Sequence, residues 1–364
     1  MLDGMRAIAV IMVVIVHAAG LAASHDAVPF PDVLAHFDLG VTIFFLISGF
    51  LLYRPFIAHR NGGPPQPRPV RYLRRRALRI IPAYWLVLTA LTILPGFVGV
   101  SGSHGLEQYT FTFTLPFANG PDSCLHTYVC GLAQTWSLAV EVGFYLALPI
   151  WFLLSERLAR GRSLRSWVSG EVAVLATLSI VSVILRADET GGPNSIVGAT
   201  LIGYLTWFAA GMVLAIASVA LETRKPPRWL ALLSRPTLSW TAAVIVFAAL
   251  CLYLPWETFP TSFGDRFVEH TGFALVAGLL MAPTVLGRNE SGWLPRLLTN
   301  RVFAWLGLVS YGIFLWHLAI GMRFGAFSQH HLTFWPLLAV MLAITIPIAA
   351  ASYYLLERPL LRFK

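Results

Sequence analysis

Charge is what this sequence most lacks. Only 12% of its 364 residues are Asp, Glu, Lys or Arg, about half the share of an ordinary soluble domain. Acids are the scarcer sign, 17 against 26 bases. A water-soluble fold must cover its core with polar side chains, and there are too few here to make that surface. A soluble enzyme is excluded. So is a soluble nucleic-acid-binding domain, which the net charge of +9 would otherwise raise.

Cysteine is nearly absent as well, with three in the chain. Cys124 and Cys130 stand close together in one loop, where they are either a local disulfide or two free thiols. Cys251 falls inside an apolar run and reads as packing. No second Cys pair or close His pair completes a metal site, so no metal is expected. The first apolar run follows Asp3 and Arg6, has no A-x-A-like cleavage site and carries a histidine; it reads as a span, not a cleaved leader. Internal repeats are not visible, and the low-complexity run 62–69 reads as a linker.

What the chain does have is apolar length: 57% of residues are hydrophobic. A membrane span takes roughly 20 apolar residues, and the sequence divides into ten, at about 7–23, 39–57, 80–98, 131–154, 171–187, 199–219, 237–255, 270–286, 302–322 and 333–356. An all-α polytopic membrane protein, one domain over 1–364, is the expectation. Of the 26 Lys and Arg, all but Arg186, Arg266 and Arg323 fall on the side of the N-terminus. The positive-inside rule then puts both termini in the cytoplasm. Trp85, Trp151, Trp229, Trp256 and Trp335 near span ends fit an interfacial belt.

Ionisable groups inside spans are costly and mark sites more often than packing. His17, Glu141 and His317 are the ones read within these spans. At about 1.5 Å per residue, His17 and Glu141 fall near the bilayer midplane and His317 slightly nearer the outer face, so all three can line one cavity. Arg6 and His17 share a helix face, since eleven residues turn the helix through roughly 1,100°, but they lie about 16 Å apart along the axis. Arg6 therefore belongs at the mouth and His17 in the interior. Arg71, Arg74, Arg75, Arg76 and Arg79 crowd the entry to the third span; Arg76 and Arg79 are helix neighbours suited either to phosphate or to anchoring topology at lipid headgroups. Asp26, Asp32, Asp38, His126, His330 and His331 of the outer loops could touch a sugar, but by default they read as solvated side chains.

Several blocks, in order, resemble the bacterial acyltransferase 3 family of membrane O-acyltransferases. The run from Leu2 through Arg6 to His17 is similar to its opening motif, Gly40–Phe50 to its second span, and Arg75–Tyr84 to its RxxR segment. Thr135–Glu141 with Tyr145 is similar to its WSLxxE block, and Tyr311–His317 and Glu357–Pro359 to its late motifs. Two features differ: Val142 stands where relatives usually have a second acid, and the expectation is of spans without a fused SGNH-type extracytoplasmic domain.

The resemblance implies a multi-pass enzyme of the bacterial cytoplasmic membrane. It would transfer an acyl group, most often acetyl, from acyl-CoA to a hydroxyl of an envelope glycan or glycolipid, with no tightly bound cofactor. Arg6, Arg76 and Arg79 would meet the phosphates of acyl-CoA, and His17 would be the general base, with Glu141 orienting or charge-balancing it. Trp136, Ser137, Tyr145 and His317 would shape the substrate pocket. A covalent acyl-histidine is a rival mechanism, and a secreted natural product such as a macrolide a rival acceptor. The spans and buried polar groups alone fit a proton-coupled transporter or flippase equally well; the ordered motifs favour an enzyme.

Overall fold

A computed structural model describes the chain except for residues 25–26, 66–67, 96–103, 113–131, 190–195, 224–226, 255–261, 288–291, 326–327 and 364. Among the described residues it is all helical, with no strand. Among those residues ten helices are long and apolar enough to cross a membrane. They are α1 (Leu2–Leu21), α2 (Leu39–Arg60), α3 (Pro69–Ile93), α4 (Trp136–Ala159), α5 (Leu164–Asp188), α6 (Leu201–Thr223), α7 (Pro236–Tyr253), α8 (Phe263–Leu286), α9 (Arg301–Phe324) and α10 (Phe334–Ser352). Every expected span is present. Most reach beyond the ends that hydropathy gave them, because local capping and polar turns extend the helix past the apolar run. Pro69 opens α3 at its first turn, where a missing N–H costs nothing. Ser262 and Asp265 form a capping box that starts α8. Asn300 caps α9 by accepting from the Val302 N–H at 2.8 Å.

The helix α1 is central, packed against α2, α9 and α10. Its buried face mixes small residues with branched ones: Ala7, Ala9, Ala18 and Ala19 are fully covered, beside Val10, Val13 and Val14. Small side chains let backbones come close, which is how helices associate where no hydrophobic force drives them. The α1–α9 pair shows it: a Cβ at Gly307 would collide with the Asp3 carbonyl, and one at Gly325, just past α9, with that of Leu21. The two helices therefore run parallel, start against start and end against end. The most extensive contact is between α2 and α6, where Gly49 sits on the Phe208 carbonyl and Gly211 on that of Leu46.

Large apolar side chains stay exposed on the outer helices, including Ile150 on α4, Ile180 on α5 and Ile245 on α7, as expected of faces that meet lipid. Trp85 and Trp335 are exposed, in keeping with the expected belt. Trp151 differs: its indole N–H donates to buried Glu171 at 2.7 Å, so it belongs to the interior. Trp256, Asp26 and His126 lie outside the described residues, as do Cys124 and Cys130.

Candidate active site

A cavity of about 380 Å³ opens among α1, α2, α3, α4 and α9. Arg6, Arg76, Arg79, Ser48, Glu141 and Tyr145 supply most of its polar lining, with Ser137 and Tyr311. The helix geometry explains the grouping. Arg76 and Arg79 are one turn apart on a helix that starts at Pro69, earlier than hydropathy indicates, so they lie two to three turns inside α3 and face the bundle. Arg6 reaches the same space from the first turns of α1 and donates to Asp3 at 2.9 Å. Among the described residues neither Arg76 nor Arg79 forms an ion pair within 4 Å, whereas Arg6 pairs with Asp3 and Arg54 with Glu222. Unpaired guanidinium groups in a partly buried cavity favour an anionic ligand.

A second cavity of about 410 Å³ shares Leu51, Leu52 and Arg76 with the first and continues to Arg68, Arg75 and His59. Along it the Tyr72 hydroxyl and the Nε atoms of Arg75 and Arg76 are buried with no hydrogen-bond partner. Buried donors without partners are rare and call for a ligand or a role. Together the two cavities form a basic channel lined with idle donors.

Glu141 holds the wall of the first cavity. Ser48 donates to its Oε1 at 2.5 Å and Tyr145, one turn on along α4, donates to the same oxygen at 2.6 Å. Its Oε2 has no hydrogen bond among the described residues. The guanidinium of Arg76 lies 5.8 Å from the centre of the Tyr145 ring, a cation–π distance. The carboxylate therefore fixes a tyrosine, and the tyrosine carries an arginine.

His17 and His317 meet. The Nε2 of His317 lies 3.3 Å from the Nδ1 of His17, with the ring centres 5.0 Å apart. The backbone assigns the protons: His17 Nδ1 faces the Val13 carbonyl at 2.7 Å, and His317 Nδ1 faces that of Phe314 at 2.7 Å. A carbonyl only accepts, so each neutral ring carries its proton on Nδ1. The lone pair of His317 Nε2 then points at the His17 Nδ1–H. Among the described residues that leaves His17 Nε2 as an unengaged base on a half-buried ring, while His317 is fully buried.

The expected residues thus separate into two groups. Arg6, Arg76, Arg79, Ser137, Glu141 and Tyr145 line one cavity. His17, His317 and Trp136 lie beyond its described lining. Glu141 does not orient His17: its hydrogen bonds go to Ser48 and Tyr145, and the group beside His17 is His317. The hydroxyl of Ser137 already donates to the Gln134 carbonyl at 3.1 Å, so it is not a spare oxyanion donor. Phe314 joins the groups, since it lines the cavity and its carbonyl accepts from His317.

Ser48, Gln134 and Glu357 were not singled out from the sequence as site residues. Gln134 Nε2 donates to the carbonyls of Phe314 and Leu315 at 3.2 and 3.1 Å, while its Oε1 is buried and unpaired. Glu357 sits in a π-turn, Tyr353–Glu357, after α10, buried and within electrostatic reach of Arg79. A π-turn often marks a functional position; here it returns the late Glu-Arg-Pro motif to the arginines of α3.

A family model described as an acyltransferase domain, that of the acyltransferase 3 family, matches residues 1–354. The chain is 24% identical to the Bacillus subtilis protein YrhL, over 99% of this chain and 54% of that protein. It is 27% identical to the exopolysaccharide production protein ExoZ of Rhizobium meliloti, over 90% of this chain and 91% of that one. With the peptidoglycan O-acetyltransferase OatA of Listeria monocytogenes it shares 24% over 88% of this chain and 49% of that protein. The chain therefore spans about half the length of YrhL and OatA. No solved structure matches it.

Proposed function

The chain belongs to the acyltransferase 3 family, and we propose on that footing that it is a membrane O-acyltransferase moving an acetyl group from acetyl-CoA to a hydroxyl of an envelope glycan. Two relatives are named for peptidoglycan O-acetylation and exopolysaccharide production, which supports a glycan acceptor. The positive-inside rule assigns the arginine-rich end to the cytoplasm of a bacterial cytoplasmic membrane, where acyl-CoA is found. CoA enters at that end. Its phosphates pair with Arg76 and Arg79, and with Arg75 in the adjoining cavity, and its flexible arm extends along the channel toward Phe314 and the histidines.

Transfer then needs one base. His17 Nε2 takes the proton of the acceptor hydroxyl as that oxygen attacks the thioester carbonyl carbon. The C–S bond breaks as the tetrahedral intermediate collapses, and the leaving thiolate takes the proton back from the imidazolium. Acetyl ends on the acceptor oxygen, CoA leaves as the thiol, and His17 returns neutral. Glu141 acts at one remove, as a positioning residue that holds Tyr145 beneath Arg76.

The observation carrying this reading is the pair of carbonyl-fixed histidines, which leaves one imidazole lone pair free and is joined through Phe314 to the cavity of unpaired arginines. The test is label transfer from radioactive acetyl-CoA to envelope glycan by the protein in liposomes. His17→Ala should lower turnover by about 10²- to 10⁴-fold, the usual worth of a general base. Near-normal turnover in a folded variant overturns the assignment.

A further inference from the structure

At the end of the bundle away from the arginines lies a polar cluster that none of this chemistry uses. It gathers Asp38 from the turn before α2, Arg186 from the last turn of α5, Tyr204 and Trp207 from α6, and Glu269 and His270 from α8. The Arg186 guanidinium stands 5.6 Å from the centre of the Tyr204 ring. The Trp207 and His270 rings stack at 4.5 Å and 17°, and Glu269 is within electrostatic reach of both Arg186 and Asp38. Asp38 is exposed, Glu269 and Arg186 are half-buried, and the aromatic rings are buried behind them. The exposure of Asp38 agrees with its reading as a solvated side chain. Its turn, His36–Asp38, packs against α1.

Two features separate this cluster from an ordinary ion network. Among the described residues neither carboxylate closes an ion pair with Arg186 within 4 Å. His270 is 3% exposed and its Nε2 is buried with no hydrogen-bond partner. The site keeps accepting and donating capacity unspent inside a membrane-spanning bundle, where unspent polar groups are costly.

The composition selects a ligand class. Two carboxylates disfavour an anion, and Arg186 disfavours a cation. A neutral polyol suits both, because each hydroxyl donates to a carboxylate and accepts from a guanidinium. We propose that Asp38, Arg186 and Glu269 bind the sugar ring of the acceptor, with Tyr204, whose hydroxyl is spent on the Gly198 carbonyl at 3.1 Å, backing the Arg186 guanidinium. The position fits. His17 lies about one turn from the α1 terminus nearest this cluster, so a sugar held here approaches the base from the side opposite the CoA channel. Trp136 connects the two, its ring 5.0 Å from that of Tyr204 and 6.4 Å from that of Phe45, which lines the cavity.

This inference rests on the acyl-transfer reading, so its test separates the two. Protein in liposomes is given radioactive acetyl-CoA and envelope glycan purified from a strain lacking the gene. The half-saturating concentration is measured for each substrate. Asp38→Asn and Glu269→Gln should each raise the value for glycan about 10-fold or more, the factor a lost hydrogen bond to a charged group gives, and leave the value for acetyl-CoA where it was. Asp38→Glu, which keeps the charge at an exposed position, should recover most of the loss. Unchanged glycan saturation in Asp38→Asn overturns the subsite, as does a rise in both values together. If the wild-type protein labels no glycan, the acyl-transfer reading falls and the subsite falls with it.

Discussion

Two glutamates on neighbouring helices face opposite fates. Glu171 of α5 is buried and saturated. Tyr53 and the Trp151 indole donate to its Oε1, Ser155 donates to Oε2 at 2.8 Å, and Trp167 donates in turn to Ser155 at 3.1 Å. Glu141 of α4 receives both its donors on one oxygen and faces a cavity with unpaired arginines. A buried carboxylate costs free energy until its lone pairs are used. Where both oxygens are engaged, as in Glu171, the group ties helices together. Where one oxygen stays open onto a cavity, the cost persists until something else arrives. What separates the two sites is one unspent acceptor, not depth or charge.

The largest effect should come from breaking the saturated site. Glu171→Ala strands the donors of Tyr53, Trp151 and Ser155 together, and should lower stability by about 3 kcal/mol, since a buried unsatisfied donor costs about 1–3. Unfolding in detergent measures this, and turnover per folded molecule should stay near normal. Glu141→Gln should do the reverse. It keeps the shape but weakens the hold on Tyr145 and Arg76, so kcat/KM for acetyl-CoA should fall about 10-fold, or about 1.4 kcal/mol, with stability little changed. If Glu171→Ala also loses turnover per folded molecule, the two sites do not divide as described.

The tyrosines sharpen the same contrast at smaller size. Tyr145→Phe and Tyr53→Phe each remove one hydroxyl that donates to a glutamate. The first should raise KM for acetyl-CoA about 5-fold, because the ring remains beneath Arg76 but is no longer anchored. The second should cost about 1 kcal/mol of stability and leave KM unmoved. Equal effects on KM would place both tyrosines in one functional unit.

Much of this was legible in the sequence. Ten apolar runs and the one-sided distribution of bases require ten spans, and an imidazole or carboxylate deep inside a run stands out because nothing else there is ionisable; His17, His317 and Glu141 are found that way. Glu171, Glu269 and His270 were not, because hydropathy starts their spans at 171 and 270 whereas the helices start at Leu164 and Phe263. A polar residue at the edge of an apolar run reads as the end of the helix, yet here each lies two turns inside one. Ser48 left no signal either, since a serine among Gly and Phe in a packed helix is usually only small. The pairing of His17 with His317, instead of Glu141, depends on which helix lies beside α1. No periodicity carries that.

The serines give the smallest and cleanest comparison. Ser48 and Ser155 each donate one hydroxyl to a glutamate, at 2.5 and 2.8 Å. Ser155 also accepts from the Trp167 indole, so Ser155→Ala leaves a buried N–H stranded along with the carboxylate oxygen, and should destabilise the fold by about 1–2 kcal/mol without changing acetyl-CoA kinetics. Ser48→Ala strands nothing of that kind. Glu141 keeps Tyr145, and its carboxylate faces a cavity that water or ligand can fill, so stability should move by less than about 0.5 kcal/mol while kcat/KM for acetyl-CoA falls 2- to 5-fold, or about 0.5–1 kcal/mol. Unfolding curves and donor kinetics on the two variants decide it. If both lose stability and neither loses kcat/KM, Glu141 is a second structural clasp, and the open oxygen on which its separate role depends has no function.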